Sequence, residues 1–167
     1  PDQVEKKDAK TFVKKTDKTQ VIVGPAESMS KSKKNTIDPE QMINQYGADS
    51  IRLFILSDSP PEKDIQWSDN GVAGANKFLK KIWNLNDLII KRKEIASSEG
   101  DDKKFKLEVE SIINKIDKSI KDFRFNVSVA LFHQFYNLIH KNLNGKIKNS
   151  VLVDSNIKFM KLMIPFT

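Results

Sequence analysis

The chain has 167 residues and a formal net charge of +7, with a sequence pI of about 9.4. It contains no cysteine, which excludes disulfide bonds and thiolate metal sites. No apolar run approaches the ~20 residues that cross a bilayer, and the first residues are charged, unlike an apolar signal sequence. We therefore expect a cytoplasmic protein of about one domain, without membrane association, and a polyanionic partner such as nucleic acid.

The first elements of the chain predict a β-hairpin. Residues 11–13 and 20–23 are short runs rich in β-branched and aromatic side chains, and residues 16–19 between them have turn chemistry. Residues 1–10 are charged and show no pattern, so we predict no regular structure for them. Gly24 and Pro25 end the second strand.

The next segment, residues 27–35, is polar and cationic and contains almost no apolar side chain. It cannot pack as core, so we expect a mobile loop. Lysine binds phosphate as a point charge, and hydroxyl and backbone N–H groups add donors around it. The composition alone is compatible with a phosphate-binding loop and with an ordinary solvated loop.

Helices follow the loop. Asp38 can cap a helix that has Pro39 in its first turn and Gln41 in a capping box, and Gly47 ends it. A second helix is predicted over residues 48–56, largely buried because of its apolar density. The remainder predicts a loop broken by two prolines and then four helices, over or beginning near residues 68–93, 105–123, 126–145 and 154–163.

The predicted fold class is mainly α: an antiparallel helical bundle preceded by a short β-hairpin and a mobile loop. We predict three parts, with residues 1–37 holding the hairpin and loop, 38–67 connecting helices, and 68–167 the bundle. The first residue is not Met and the sequence stops without a tail, so we expect a C-terminally truncated piece of a longer protein.

The string Met29-Ser30-Lys31-Ser32-Lys33 resembles the K-M-S-K-S signature of class I aminoacyl-tRNA synthetases. The resemblance continues through Asn35, Asp38-Pro39, Tyr46-Gly47-Ala48-Asp49 and Arg52. Residues 67–79 resemble the leucyl family more than the valyl, isoleucyl or methionyl families. The chain is thus identified as resembling leucyl-tRNA synthetase, closely over residues 28–85 and more weakly beyond residue 100.

The resemblance implies that the loop closes over ATP while leucine is activated, before the aminoacyl group passes to tRNA(Leu). Lys31 takes the place of the family's second lysine and is the expected catalytic cation, with Mg²⁺ accompanying ATP in the full enzyme. Ser30, Ser32 and Lys33 would shape the loop and bind ATP, and Met29 would anchor it through an apolar contact. Ser28 replaces the family's first lysine and cannot supply that charge.

The other half of the class I active site is missing. The H-I-G-H motif needs two histidines three residues apart, whereas the chain has only His133 and His140. We therefore expect a monomeric fragment that is inactive alone and has no metal site. Two alternatives are the same region of a valyl or isoleucyl enzyme and a free-standing basic helical RNA-binding module.

Candidate tRNA-binding residues lie on the helices. Lys77 and Lys81 are one turn apart on a polar face, where solvated lysines are the simpler interpretation. Arg52 lies in a mostly apolar helix, which favours a buried partner such as a carboxylate. The resemblance implies instead a structural link between helix and loop or an RNA contact.

Other residues have structural interpretations. Trp67 and Trp83 are predicted packing anchors, and the two histidines are predicted to have bundle or surface roles rather than to bind metal. Gly71 and Gly74 predict close helix packing or close approach of RNA.

Overall fold

The computed structural model describes residues 4–7, 11–22, 24–25, 27–94 and 96–167. They form two compact units, Pro1–Thr36 and Ile37–Thr167. The first unit carries a small antiparallel sheet followed by the loop, and the second is helical. The mainly helical fold class predicted from the sequence is confirmed. The three-part division at residues 37 and 67 stays a prediction.

The sheet has three short strands in the order β1 (Val4–Lys6), β2 (Phe12–Lys14) and β3 (Gln20–Val21). The predicted hairpin is confirmed, with Phe12 opposite Val21. The absence of regular structure predicted for residues 1–10 is wrong for β1, because pairing with β2 orders a segment that has no apolar alternation of its own. Residue 23, predicted to end the second strand, lies outside the described residues.

Helices α1 (Pro39–Tyr46) and α2 (Ala48–Asp58) begin where the capping signals predict. The Asp38 carboxylate accepts a hydrogen bond from the Glu40 N–H at 3.0 Å, and Gly47 adopts a φ of +81° between the helices. The burial predicted for α2 is wrong: Leu53 and Phe54 are buried, but Ile55 is exposed. One face of α2 packs against other helices while the rest meets solvent.

The long helices are α3 (Asp69–Lys91), α4 (Glu99–Lys121), α5 (Phe125–Asn142) and α6 (Asn149–Met163). The Ser68 hydroxyl caps α3 by accepting from the Gly71 N–H at 3.2 Å, as the sequence suggests. A 3₁₀ turn, Ile164–Phe166, follows α6. None of the helices in the described part of the chain is long and apolar enough to cross a membrane.

Several predicted helix boundaries are wrong. Helix α4 starts at Glu99 rather than near residue 105, because the Ser98 hydroxyl accepts a hydrogen bond from the Asp101 N–H at 3.1 Å and acidic residues suit the positive end of a helix. Helix α6 starts at Asn149 rather than at residue 154. Helix α5 starts at Phe125, one residue before the predicted start, and ends at Asn142 rather than near residue 145.

The core of the helical unit lies where α2 to α6 meet. Its largest fully buried side chains are Phe132, Phe135, Phe159, Phe166, Leu53, Leu85, Ile116, Ile139, Leu152, Val72 and Val109. Phe132 meets Phe166 edge-on with ring centroids 4.8 Å apart, and Phe135 packs on Phe159 at 4.9 Å. Aromatic pairs in these geometries add to the free energy of apolar burial.

Arg92 fixes the connection between α5 and α6. Its guanidinium donates to the carbonyl oxygens of Gly145 at 2.7 Å and Ile147 at 2.9 Å, and also to the Leu143 carbonyl and the Asn149 side chain. A run of three basic residues is typical of a solvated face, whereas this arginine saturates backbone acceptors that would otherwise lack partners. The start of α6 is therefore tied to the end of α3.

The two tryptophans differ from each other. Trp67 packs edge-on against Phe54 at 5.6 Å and donates its Nε1–H to Asp69 at 2.8 Å, so its predicted packing role is confirmed. The same prediction is wrong for Trp83, which is 66% exposed. Trp83 comes directly after the buried Ile82 and therefore points to a different side of α3. No element in the described chain covers that side.

The two glycines inside α3 also differ. A Cβ on Gly71 would lie 2.4 Å from a ring carbon of Phe54, so the predicted close helix packing is confirmed there. A Cβ on Gly74 would meet no atom within 4 Å, so close packing is wrong for this residue. Close approach of RNA to Gly74 stays a prediction.

Candidate functional site

The loop in the first unit is closed by one side chain. The Asn35 amide oxygen accepts a hydrogen bond from the Ser30 N–H at 2.9 Å, and its NH₂ group donates to the Ser28 carbonyl at 3.4 Å. Asn35 therefore joins the end of the loop to its beginning. The intervening residues are held in a turn rather than in an extended strand.

Serine hydroxyls and backbone groups shape the turn itself. The Ser30 and Ser32 hydroxyls lie 3.1 Å apart, and the Lys33 N–H donates to the Ser30 hydroxyl at 3.3 Å. The Lys34 N–H donates to the Lys31 carbonyl at 3.1 Å, and Lys34 adopts a φ of +52°. These contacts bring Ser30 and Ser32 together. The loop-shaping and ATP-binding roles that the resemblance implies for them stay predictions.

The loop lysines differ in their ion pairs. Lys33 Nζ lies 3.0 Å from a carboxylate oxygen of Glu27, and both side chains are about half exposed. An exposed pair of this kind contributes only about 0–1 kcal/mol, so it can exchange for a stronger anion. Among the described residues, no carboxylate lies within 4 Å of Lys31 Nζ, and the side chain is exposed. Lys31 is thus available to an incoming phosphate.

Met29 is 47% exposed, so about half of its side chain is free to contact another apolar surface. Its expected anchoring role stays a prediction.

The second candidate site is a face of α3 and α5 in the helical unit. Lys77 and Lys81 are exposed on α3, and within the described ranges neither has a carboxylate within ion-pairing distance. His133 of α5 stacks on Phe78 with ring centroids 3.7 Å apart and planes 24° apart. Partial burial lowers the pKa of His133, and the charge of Lys81 lowers it further.

Sequence reasoning missed a row of rings on α5. His140 stacks on Tyr136 at 5.5 Å, and Tyr136 meets Phe78 edge-on at 6.0 Å. Rings at positions 133, 136 and 140 follow the three- and four-residue helical spacing, which is the signal that could have revealed them. The two histidines therefore have the bundle-surface role that was predicted.

Arg52 is exposed, and its Nη2 donates to the Pro165 carbonyl at 3.3 Å. The expectation of a buried carboxylate partner is wrong, because the guanidinium satisfies a carbonyl of the 3₁₀ turn at the surface. Arg52 therefore links α2 to this turn. Within the described part of the chain, no three His, Asp or Glu side chains form a group that could hold a metal ion.

Comparisons with known proteins show which proteins this chain is similar to. Residues 18–68 match the family model described as tRNA synthetases class I (I, L, M and V). The leucine–tRNA ligase of Hyphomonas neptunium is 35% identical over 168 residues, covering 99% of this chain and 20% of that protein. The leucine–tRNA ligase of Rickettsia canadensis is 39% identical over 167 residues, again covering 99% of this chain and 20% of the relative.

Over nearly its whole length the chain is similar to a segment of leucine–tRNA ligases. A solved structure supports this, namely the ternary complex of Agrobacterium radiobacter K84 LeuRS with tRNA and LeuAMS. The TM-score is 0.70 at 25% identity, with 83% of this chain and 19% of that chain covered. The chain thus spans about a fifth of the length of the leucine–tRNA ligases that it matches.

Proposed function

We propose that this chain is the part of a leucine–tRNA ligase that supplies the ATP-phosphate-stabilising loop and a tRNA-binding helical unit. The observation that carries the proposal is the position of Lys31, an exposed cation without a carboxylate partner among the described residues, in a loop matching the synthetase signature. In the full-length ligase the substrates would be leucine, ATP and tRNA(Leu).

In the activation step, a carboxylate oxygen of leucine attacks the α-phosphorus of ATP. A new P–O bond forms, the bond to the bridging oxygen breaks, and pyrophosphate leaves with the electron pair. Negative charge spreads over the phosphate oxygens in the transition state, so a cation on the loop lowers the barrier. Lys31 would supply this positive charge. Lys33 would add to it once its ion pair with Glu27 is replaced by an ion pair with phosphate.

The rest of the loop would hold Lys31 in place. The Ser30 and Ser32 hydroxyls face each other and offer donors to phosphate oxygens, while Asn35 holds the two ends together. Ser28 stands where the family carries its first lysine, so Lys33 and Lys34 are the nearest cations that could replace that charge.

The helical unit would bind tRNA through the basic face of α3. Lys77 and Lys81 are exposed and unpaired within the described chain, and the stacked ring of His133 lies beside Lys81. Lysines of this kind bind phosphates by releasing counterions, and exposed rings offer surfaces for unstacked bases. Arg52 lies at another point of the same unit and is a further candidate.

Binding of the 167-residue chain to leucine tRNA and to an unrelated tRNA, at two salt concentrations, tests the tRNA half of the proposal. We expect measurable binding to both that weakens at the higher salt concentration, and weaker binding by a variant with Lys77→Ala and Lys81→Ala. Lys115→Ala and Lys118→Ala on α4 form the matched control pair. Equal binding by the two double variants would contradict a role for the α3 face.

The isolated chain should show no leucine-dependent ATP–pyrophosphate exchange, since it lacks the H-I-G-H motif. Measurable exchange by the purified chain would contradict this part of the proposal. A free-standing RNA-binding module is the alternative, and it predicts a gene product that binds tRNA without aminoacylating it.

A further inference from the structure

Helices α3 and α6 lie side by side and run in opposite directions. Asn156 Nδ2 donates to Asn86 Oδ1 at 3.2 Å, and the Asn149 side chain donates to the Arg92 carbonyl at 2.9 Å. These two hydrogen bonds define how the antiparallel helices are aligned, because the second one joins the end of α3 to the start of α6. A residue one turn before Asn86 on α3 therefore lies beside a residue one turn after Asn156 on α6. In the same way, a residue one turn after Asn86 lies beside a residue one turn before Asn156.

Apolar side chains are exposed at these positions. Trp83 and Met160 lie one turn from the hydrogen bond between the two asparagines on one side, and Ile90 and Val153 lie one turn from it on the other. Their exposed fractions range from 37% for Met160 to 69% for Ile90. With Ile157 of α6 and Ile164, which begins the 3₁₀ turn after α6, they form a surface that we name the α3–α6 apolar stripe: Trp83, Ile90, Val153, Ile157, Met160 and Ile164.

The spacing of the α6 residues in this stripe suits a helical partner. Positions 153, 157 and 160 recur at four and three residues, which places all three on one side of α6. Ile164 continues this spacing at the start of the 3₁₀ turn. This is the spacing at which one helix presents apolar side chains to another. Large apolar patches of this kind on a soluble protein mark sites that another element covers.

The rim of the stripe argues against nucleic acid as the occupant. Asp87 follows Trp83 by one turn on α3, and Asp154 precedes Ile157 on α6. Lys80 and Lys161 contribute positive charge, so the rim is mixed rather than uniformly basic. Nucleic acid binding relies on cations that neutralise several phosphates, whereas an apolar centre with a mixed rim is typical of a protein interface.

We propose that the α3–α6 apolar stripe seats an amphipathic helix from the part of the same ligase that lies outside these 167 residues. The proposal rests on the proposed function, in which the chain is part of a longer synthetase. The relatives are about five times longer than the matched segment, so they contain ample chain to supply such a helix.

The test uses the full-length gene product with a photoreactive p-benzoylphenylalanine in place of Ile157. A second variant carries it in place of Leu107, which is 64% exposed on α4 outside the stripe. We expect Ile157→p-benzoylphenylalanine to give an intramolecular cross-link to a helical segment outside the 167 residues, and the Leu107 variant not to give it. A cross-link between two copies, a cross-link to added tRNA, or no product at Ile157 would overturn the proposal.

The same intramolecular product from both variants would also overturn it, because general proximity would then explain the cross-link. A second measurement covers the case in which the probe disturbs packing. In the full-length gene product, Ile157→Asp should increase proteolytic cleavage within α6, and Leu107→Asp should leave that cleavage unchanged. In the isolated chain, where the stripe is already exposed, both substitutions should leave it unchanged, and a similar increase there would contradict the proposal.

Leucine-dependent ATP–pyrophosphate exchange by the unmodified full-length protein separates the two proposals. Exchange without the expected cross-link would reject only the seated helix. Absence of exchange together with the cross-link would instead reject the synthetase function while retaining the interface.

Discussion

Asn35 accepts a hydrogen bond from the Ser30 N–H at 2.9 Å, so a residue at the end of the loop sets the position of one at its start. The amide also donates to the Ser28 carbonyl. The turn that presents Lys31 is therefore closed by a side chain that carries no charge.

Replacing Asn35 with Ala should disturb the presentation of Lys31 without unfolding the protein. In the full-length gene product we expect the kcat of ATP–pyrophosphate exchange to fall about tenfold or more, because misplacement of a catalytic group raises the barrier. The thermal midpoint should be unchanged, since the loop is exposed. Asn35→Asp keeps the acceptor for Ser30 and loses the donor to Ser28, so its kcat should lie between those of the wild type and Asn35→Ala.

Gly71 and Gly74, the two glycines inside α3, give a prediction about the stability of the 167-residue chain. Gly71→Ala would place a Cβ against the Phe54 ring and should lower the free energy of unfolding by about 1–3 kcal/mol. Gly74→Ala meets open space and should raise that free energy by about 0.5–1 kcal/mol through helix propensity. Denaturant unfolding measures both, and equal effects of the two substitutions would contradict the packing described for Gly71.

The stacked ring of His133 gives a prediction about pH. Burial and the Lys81 charge lower the pKa of this imidazole below its ordinary value of about 6.5. The unfolded chain then binds the proton more readily than the folded chain, so this residue reduces stability as pH falls below about 6.5 and until the folded imidazole is also protonated. Above that range both states are neutral and His133 contributes no pH dependence.

An NMR titration of the His133 ring protons measures this pKa directly. Lys81→Gln should raise it, because a neutral side chain no longer opposes the imidazolium charge. Lys77→Gln is the control and should have the smaller effect, since Lys81 is the lysine that contributes to the shift. A pKa of His133 at or above the ordinary value in the unsubstituted chain would contradict the stacked, partly buried ring.

Local signals allowed much of the helical fold to be predicted. Asp38 and Ser68 each precede a helix and cap it through an atom a few residues away, so a short stretch of sequence contains the whole interaction. Apolar periodicity likewise located the buried faces of the long helices. The Ser98 cap follows the same chemistry and was missed because polar residues fill the first turn of α4.

Interactions between distant residues could not be predicted in this way. Arg52 bonds to a carbonyl 113 residues away, and its acceptor is a backbone atom whose identity carries no pattern. Arg92 similarly binds carbonyls of a connection far along the chain. Trp83 is the opposite case. Its apolar side chain is compatible with burial, but the described chain contains no element that covers it.

For the candidate site, the signature string indicated which residues matter but not how they are arranged. The positions of Lys31, Ser30 and Ser32 follow from the resemblance. The closing role of Asn35 and the pairing of Lys33 with Glu27 depend on the folded turn. The spacing of the rings on α5 is visible in the sequence, but the stacking of His133 on Phe78 depends on the packing of α5 against α3.

The most direct test of the proposed function is leucine-dependent ATP–pyrophosphate exchange by the full-length gene product carrying Lys31→Ala. We expect kcat/KM for ATP to fall about 10²–10³-fold, the magnitude typical for loss of one group that stabilises transition-state charge. Lys15→Ala, an exposed lysine outside the loop, should retain wild-type exchange. Wild-type exchange by the Lys31→Ala variant, with the fold intact, would contradict the role assigned to the loop.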